Sequence, residues 1–168
     1  MELPITDRRV TLRRLAPGDL DSFLAYRTDP AVVGLQSHGD MTPAGAEAML
    51  ADDGALLAPG RWTQIAVEVE GRLVGDMGLH PAHGAVEMGI TLAAEAHGSG
   101  IARAAVALAA GWVWAATDAA RIVAITDRHN GAALAVLDRM GWREAEVEAA
   151  FAVDPATERS FVLDRPRV

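Results

Sequence analysis

Val86-Glu87-Met88-Gly89-Ile90-Thr91-Leu92 runs into Glu95-Ala96-His97-Gly98-Ser99-Gly100-Ile101-Ala102, and from there into an apolar stretch that reaches Ala116. The first segment reads as a strand, the glycine-rich segment as a tight turn, and the remainder as the longest helix, expected over Gly100 to Ala116. Glycines in such a turn let the backbone point free N–H groups outward, and the helix N-terminus adds a partial positive charge. Together these features suit a pyrophosphate, although the same spacing also serves a plain tight turn. The spacing lacks the third glycine of a dinucleotide fingerprint. A Walker loop is excluded because the chain has no lysine.

A second junction of the same kind follows. The strand Arg121 to Thr126 leads through Asp127-Arg128-His129 to Asn130-Gly131-Ala132-Ala133, where a helix over Asn130 to Met140 begins. Asn130 is a good N-cap. As the only asparagine of the chain, it is also a candidate to meet the amide groups of a ligand. Gly141 sits where a helix C-terminal glycine belongs.

Upstream, Val10, Leu12 and Leu15 mark a first strand. Pro17-Gly18-Asp19 caps a helix to about Arg27, and Thr28-Asp29-Pro30 ends it. Thr42-Pro43 starts a second helix that ends near Asp53-Gly54. Ile65, Val67 and Val69 alternate with polar or small residues, Glu70-Gly71 turns the chain, and Leu73 to Leu79 returns as a hairpin. Two more strands are expected around Trp142 to Glu148 and Ser160 to Leu163. The order β-α-α-β-β-β-α-β-α-β-β describes a mixed, mainly antiparallel sheet of about seven strands with helices on its faces, an α+β or mixed α/β fold.

The chain has 168 residues, 51% of them apolar and 23% charged, which suits one folded domain spanning 1–168. Its longest apolar run, Ala104 to Ala116, falls short of the ~18–20 residues needed to cross a bilayer. Glu2 and Asp7 interrupt any export leader, so the expected location is the cytoplasm and no membrane partner is expected. Without cysteine there are no disulfides, thiolate metal sites or cysteine nucleophiles. Among His38, His80, His83, His97 and His129, only His80 and His83 approach a ligand spacing, with no carboxylate before Glu87, and no metal is expected. A net charge of −8, from 23 acids against 15 bases, repels phosphate backbones. Nucleic acid is therefore not an expected direct partner, and a cationic small molecule or basic peptide is more compatible.

Several stretches together resemble the GNAT (GCN5-related) N-acetyltransferases, and within them the ribosomal-protein alanine acetyltransferase branch. They are Leu12-Arg13-Arg14-Leu15, Tyr26-Arg27-Thr28-Asp29-Pro30, Leu73-Val74-Gly75-Asp76, Glu87-Met88-Gly89-Ile90, the loop His97 to Ala102, Asn130, and Leu137-Asp138-Arg139-Met140-Gly141-Trp142. Their order and spacing carry the match over nearly the whole chain. The resemblance implies a mixed sheet split at a β-bulge, with acetyl-CoA as cosubstrate in the opening. It further implies that backbone N–H groups of His97, Gly98, Ser99, Gly100, Ile101, Ala102 and Arg103 hold the pyrophosphate. Leu92 would be a backbone contact for pantetheine, the Ile90 N–H an oxyanion stabiliser, and Asn130 with Ala133 the opposite wall.

Chemistry in the family is direct attack of an amine on the thioester, with no acyl-enzyme. The acceptor implied is a small-molecule amine or a peptide N-terminus, and a homodimer is compatible. Glu87 is the best candidate for the base, through a water; a solvated or hydrogen-bonded strand Glu is the bland reading. His80 and His83 are weaker candidates. Asp76 reads as a strand-end structural group, Tyr26 as packing or acceptor wall, and Trp112 and Trp114 as core with a subunit contact. The chain departs from the family where His97 replaces Gln or Arg, and where Arg103-Ala104 replaces Thr-Glu. Leu137 and Ala133 also stand where relatives carry a tyrosine or serine that donates a proton to the leaving thiolate. An acyl-CoA-binding module without activity, or a transferase of a bulkier acyl group, is the alternative.

Overall fold

Two hairpin turns organise the centre of the molecule. Glu70 and Gly71 (φ 50° and 75°) join strand β3 (Thr63–Val69) to β4 (Arg72–Ala82), and His83 and Gly84 (φ 50° and 75°) join β4 to β5 (Ala85–Leu92). Two successive positive φ angles match the twist of the strands they connect, so the register is fixed tightly on both sides of β4. The structure, a computed structural model, describes residues 2–34 and 41–167. His38 lies outside the described residues.

The remaining elements are β1 (Ile5–Thr6), β2 (Thr11–Arg14), α1 (Leu20–Arg27), α2 (Pro30–Val33), α3 (Pro43–Leu50), α4 (Ile101–Ala116), β6 (Arg121–Asp127), α5 (Gly131–Arg139), β7 (Arg143–Glu144) and β8 (Glu158–Asp164). The strands form one open sheet in the order β1-β2-β3-β4-β5-β6-β8-β7. Every adjacent pair is antiparallel except β5 and β6, which are joined by the α4 crossover. This is the mixed, mainly antiparallel fold expected, with eight strands among the described residues.

The differences from expectation have local causes. The additional strand β1 is two residues long, too short to show a period. Asp29, expected only to end a helix, also starts one: its Oδ1 accepts the Ala31 N–H at 2.9 Å, with Pro30 in the first helical position. Helix α3 is capped by Thr42, whose hydroxyl accepts the Gly45 N–H, but it stops at Leu50. The expected strand after Trp142 is only Arg143–Glu144. Beyond Ala145 the chain leaves β8, so that Val147, Phe151 and Val153 cover Ala85, Val123 and Val162.

Helix α4 presents Ala105, Ala109 and Val113, each fully buried, at a spacing of four, and its small side chains bring the helix close to the sheet. With α5 it covers one face, where Leu12, Ile65, Val67, Met77, Leu79, Val86 and Ile122 form one continuous core. Fully burying a side chain of this type contributes ~1.5–3 kcal/mol. Trp112 belongs to this core, and Trp114 packs against it under the Arg165 guanidinium, 5.1 Å from its ring. The opposite face carries two separate clusters. Leu15, Phe23, Tyr26, Ala46 and Leu50 lie under α1 and α3, and Phe151 lies with Ala85, Val123 and Val162 at the other end.

Candidate active site

Strands β5 and β6 pair over only three positions, Ala85 with Arg121, Val86 with Ile122 and Glu87 with Val123. Beyond these, β5 continues to Leu92 and β6 to Asp127 without pairing, which leaves a wedge between them. The β4–β5 register runs without a shift from Gly75–Leu92 to Ala82–Ala85. The opening therefore arises from divergence of the parallel pair. The one register shift in these central hairpins lies between β3 and β4, where Val67 pairs with Gly75 and Glu68 with Leu73, so that Val74 of β4 is the extra residue. The Ala93 N–H donates to the Val74 carbonyl at 2.9 Å. Since strand groups alternate sides, the N–H and C=O of Met88, Ile90 and Leu92 point away from β4 and into the wedge. Ile90 and Leu92, both singled out from the sequence, thus lie on an unpaired strand edge.

The wedge ends between two helix starts at the carboxyl ends of the parallel pair, the usual ligand position in sheets with a topological switch. At the first, Gly98 and Gly100 are left-handed (φ 69° and 83°), and the first α4 bond after the turn runs from the Ala104 N–H to the Gly100 carbonyl. The N–H groups of Ala102 and Arg103 precede it at the open end of the helix, while the Ile101 N–H donates to Ser99 Oγ at 3.5 Å. Ser99 closes the turn by donating its hydroxyl to the Ala96 carbonyl at 2.6 Å. The His97 N–H is already held by the Ala94 carbonyl at 3.1 Å, which narrows the expected anion cradle to Gly98–Arg103. The His97 side chain turns the other way, its Nε2 3.0 Å from the Leu92 carbonyl oxygen.

Arg9 was not singled out in the sequence. Its Nη1 donates to the Ser99 carbonyl at 3.2 Å and lies 2.8 Å from where a Cβ on Gly100 would stand. A cation thus flanks the cradle from ninety residues away in sequence. At the second helix start, Asn130 Oδ1 accepts the Ala133 N–H at 3.1 Å, so Asn130 is an N-cap, and Ala133 sits half-buried in the first turn. Leu137 belongs to the core, its side chain buried.

On the face opposite α4, pairing arranges side chains in rows. His80 lies opposite Glu87, Gln64 opposite Gly78 and Gly78 opposite Gly89, while Ala66 lies opposite Asp76 and Asp76 opposite Thr91. Trp62, just before β3, stacks on His80 with ring centroids 5.0 Å apart and 14° between planes. The row of Asp76 is sealed under α1. Asp76 is fully buried in the middle of β4, a correction to its reading as a strand-end group. It accepts from the Tyr26 hydroxyl at 2.7 Å, from Arg27 Nε at 2.9 Å and Nη2, and from Gln64 Nε2. Burial, reinforced by the Asp76 charge, pushes the Tyr26 phenol far above its ordinary range, so Tyr26 is a fixed donor in the core.

The row of Glu87 is open. Burial raises the Glu87 carboxyl from 4.5 to about 7, and repulsion from Glu158 adds to the rise. A carboxyl balanced near neutrality can take a proton and return it, the property a general base needs. His80 lies beside it, and His83 is turned away at the hairpin against Phe151, ring centroids 6.1 Å apart. Among the described residues no three His, Asp or Glu side chains converge as metal ligands, and no helix is long and apolar enough to cross a membrane.

Residues 9–143 match the family model described as an acetyltransferase (GNAT) domain. The fold is similar to that of an acetyltransferase (GNAT family) from Bacillus anthracis, with 18% identity over 96% of this chain and 98% of the other, and a TM-score of 0.80. Mycobacterium smegmatis RimJ, solved in complex with CoA-disulfide, aligns at 20% identity over 92% of this chain and 81% of its own, with a TM-score of 0.71. The ribosomal-protein-S5-alanine acetyltransferase from Vibrio fischeri aligns at 19% identity over 97% of both chains, also with a TM-score of 0.71. A search of curated protein sequences returns no match.

Proposed function

Because the chain belongs to the GNAT family of acetyltransferases, we propose that residues 1–168 act as one cytoplasmic N-acetyltransferase domain, moving an acetyl group from acetyl-CoA directly to the primary amine of a small molecule or peptide N-terminus. The observation that carries this reading is the unpaired β5 edge at Met88, Ile90 and Leu92, leading to a glycine turn and a free helix start. An extended, amide-bearing arm that ends in a pyrophosphate fits such a wedge. Bound there, acetyl-CoA supplies the acetyl group as a thioester.

In this reading the N–H groups of Gly98, Ser99, Gly100, Ile101, Ala102 and Arg103 hold the phosphates, with Arg9 beside them. Leu92 offers its backbone to the arm once the His97 ring releases the carbonyl it now holds, and Asn130 and Ala133 line the opposite wall. The Ile90 N–H stabilises the developing oxyanion. Glu87 accepts the proton that the attacking amine must lose. Neither Ala133 nor Leu137 can donate a proton, and a leaving thiolate needs little help, since its pKa is near ~8.5 by analogy with cysteine.

The test is a calorimetric titration with acetyl-CoA, followed by detection of free thiol in the presence of polyamines, amino acids and N-terminal peptides. The parent should bind, and Gly100→Asp should weaken binding more than tenfold, because it places an acid at the cradle on left-handed backbone. Binding that survives unchanged in Gly100→Asp places the site elsewhere. Binding without thiol release from any acceptor leaves an acyl-CoA-binding module.

A further inference from the structure

Between the two clusters on the face opposite α4 lies a strip that neither covers. Its floor is the cross-strand pair Gly78 and Gly89; a Cβ on Gly89 would meet nothing within 4 Å. Trp62 leans over Gly78, where an added Cβ would lie 3.0 Å from its ring, and stacks on His80. Trp62 is nonetheless 48% exposed, and Trp62 and Met49 are the exposed large apolar side chains among the described residues. One face of an indole is thus held flat by a histidine while the other is open to solvent. Leaving that much aromatic surface in water forfeits burial. An open indole face attracts a cation.

The charges around the strip have the same sign. Glu87 from β5 and Glu158 from β8 lie close enough for repulsion between them, and neither is in an ion pair among the described residues. The nearby cations are engaged elsewhere, Arg27 with Asp76 and Arg121 with Glu148 at 2.5 Å. Besides the sealed Asp76, His80 and His83 are the titratable groups that face this side from β4 and its turn. Glu158 accepts only the Asp154 N–H, at 2.9 Å, and two carboxylates without a counter-ion on the face that carries the indole form a surface complementary to positive charge.

Resting on the acetyltransferase reading, we propose that this strip selects acceptor amines that carry a second positive charge. The reacting nitrogen lies over Gly89 beside Glu87, and a second ammonium or guanidinium lies on the open face of Trp62. Trp62 and Glu87 stand two strand spacings apart, about 10 Å, so the charges of a fitting acceptor are separated by about 7–10 Å. A diamine or a basic residue close to a peptide N-terminus supplies that chemistry.

The experiment compares matched pairs by calorimetry at pH 8: cadaverine against pentylamine, and alanyl-arginine amide against alanyl-leucine amide. The parent should bind the doubly charged member of at least one pair about tenfold more tightly. Trp62→Leu should abolish that preference, and Trp62→Phe should keep part of it. Preference in the diamine pair alone assigns a small-molecule acceptor, and preference in the peptide pair alone a basic N-terminus. Equal binding within both pairs, or a preference unchanged in Trp62→Leu, overturns the proposal. Acetyl-CoA titrated in parallel separates the two readings. A protein that discriminates the amines but does not bind acetyl-CoA refutes the acetyltransferase reading and leaves the subsite. One that binds acetyl-CoA and does not discriminate refutes the subsite alone.

Discussion

The two faces of the sheet solve different problems. Under α4 and α5 the side chains are apolar, continuous and sealed, with Leu12, Ile65, Met77, Leu79 and Ile122 completely out of water. On the other face apolar residues retreat to the two ends, and the middle holds glycines, a half-exposed indole, a histidine and a carboxyl whose charged form is disfavoured. The first face spends its residues on stability, while the second leaves surface unburied where chemistry needs room. The division is not absolute, because the second face contains the one fully buried acid among the described residues, Asp76.

Asp76 gives the sharpest way to break the comparison. Asp76→Ala leaves Arg27 charged and buried with no counter-ion, which costs about 3–5 kcal/mol, read as a fall in the urea midpoint. The open face then yields a larger single-residue loss than most core substitutions. If the loss is below about 1 kcal/mol, the buried pair contributes little and the sealed face alone holds the fold.

Glu87 tests the same face through pH. Its carboxyl titrates near 7 in the folded protein against an ordinary 4.5, so the folded state retains a proton that the unfolded chain releases. The parent therefore loses stability as pH rises from about 4.5 through 7, and the loss is complete above 7. Glu87→Gln should be nearly neutral at pH 4 and more stable than the parent at pH 8, while turnover of amines that are protonated at neutral pH falls. Parallel stability profiles for the two proteins would place Glu87 in an ordinary solvated setting.

On the sealed face Ile122→Val should cost about 1 kcal/mol through a small void, with acetyl-CoA affinity unchanged. The smallest effect on stability is expected at Gly89→Ala. The new methyl meets open space and restricts the unfolded chain, so thermal melting should hold or rise slightly. The same methyl stands on the floor of the strip, and the acceptor KM should rise several-fold.

The strands and helices that carry the wedge were readable because their patterns are local. Alternation marked β3, the segment Val86 to Leu92 read as a strand up to the glycine turn, and the glycine spacing before a long alanine-rich run marked the start of α4. Asn130 was readable as a cap for the same reason. Trp62 was not, because its significance depends on the β3–β4 register that lays it on His80. Nor was Arg9, which reaches Ser99 only after the sheet has closed. Asp76 was misread because its partners Tyr26, Arg27 and Gln64, which fix its place inside the sheet, lie 12 to 50 residues away. In each case the deciding neighbour is distant in the chain, and composition or spacing carries no record of it.

The three-position ladder between β5 and β6 also has a mechanical consequence. It is the seam between two half-sheets, β1 to β5 on one side and β6, β8 and β7 on the other, against eight paired positions between β4 and β5. Opening that seam breaks few backbone bonds, so the amides that bridge β5 and β6 should exchange with deuterium through sub-global fluctuations well before those that bridge β4 and β5. A molecule bridging both walls of the wedge would act as the missing rungs, and by mass action it would slow exchange on both sides together.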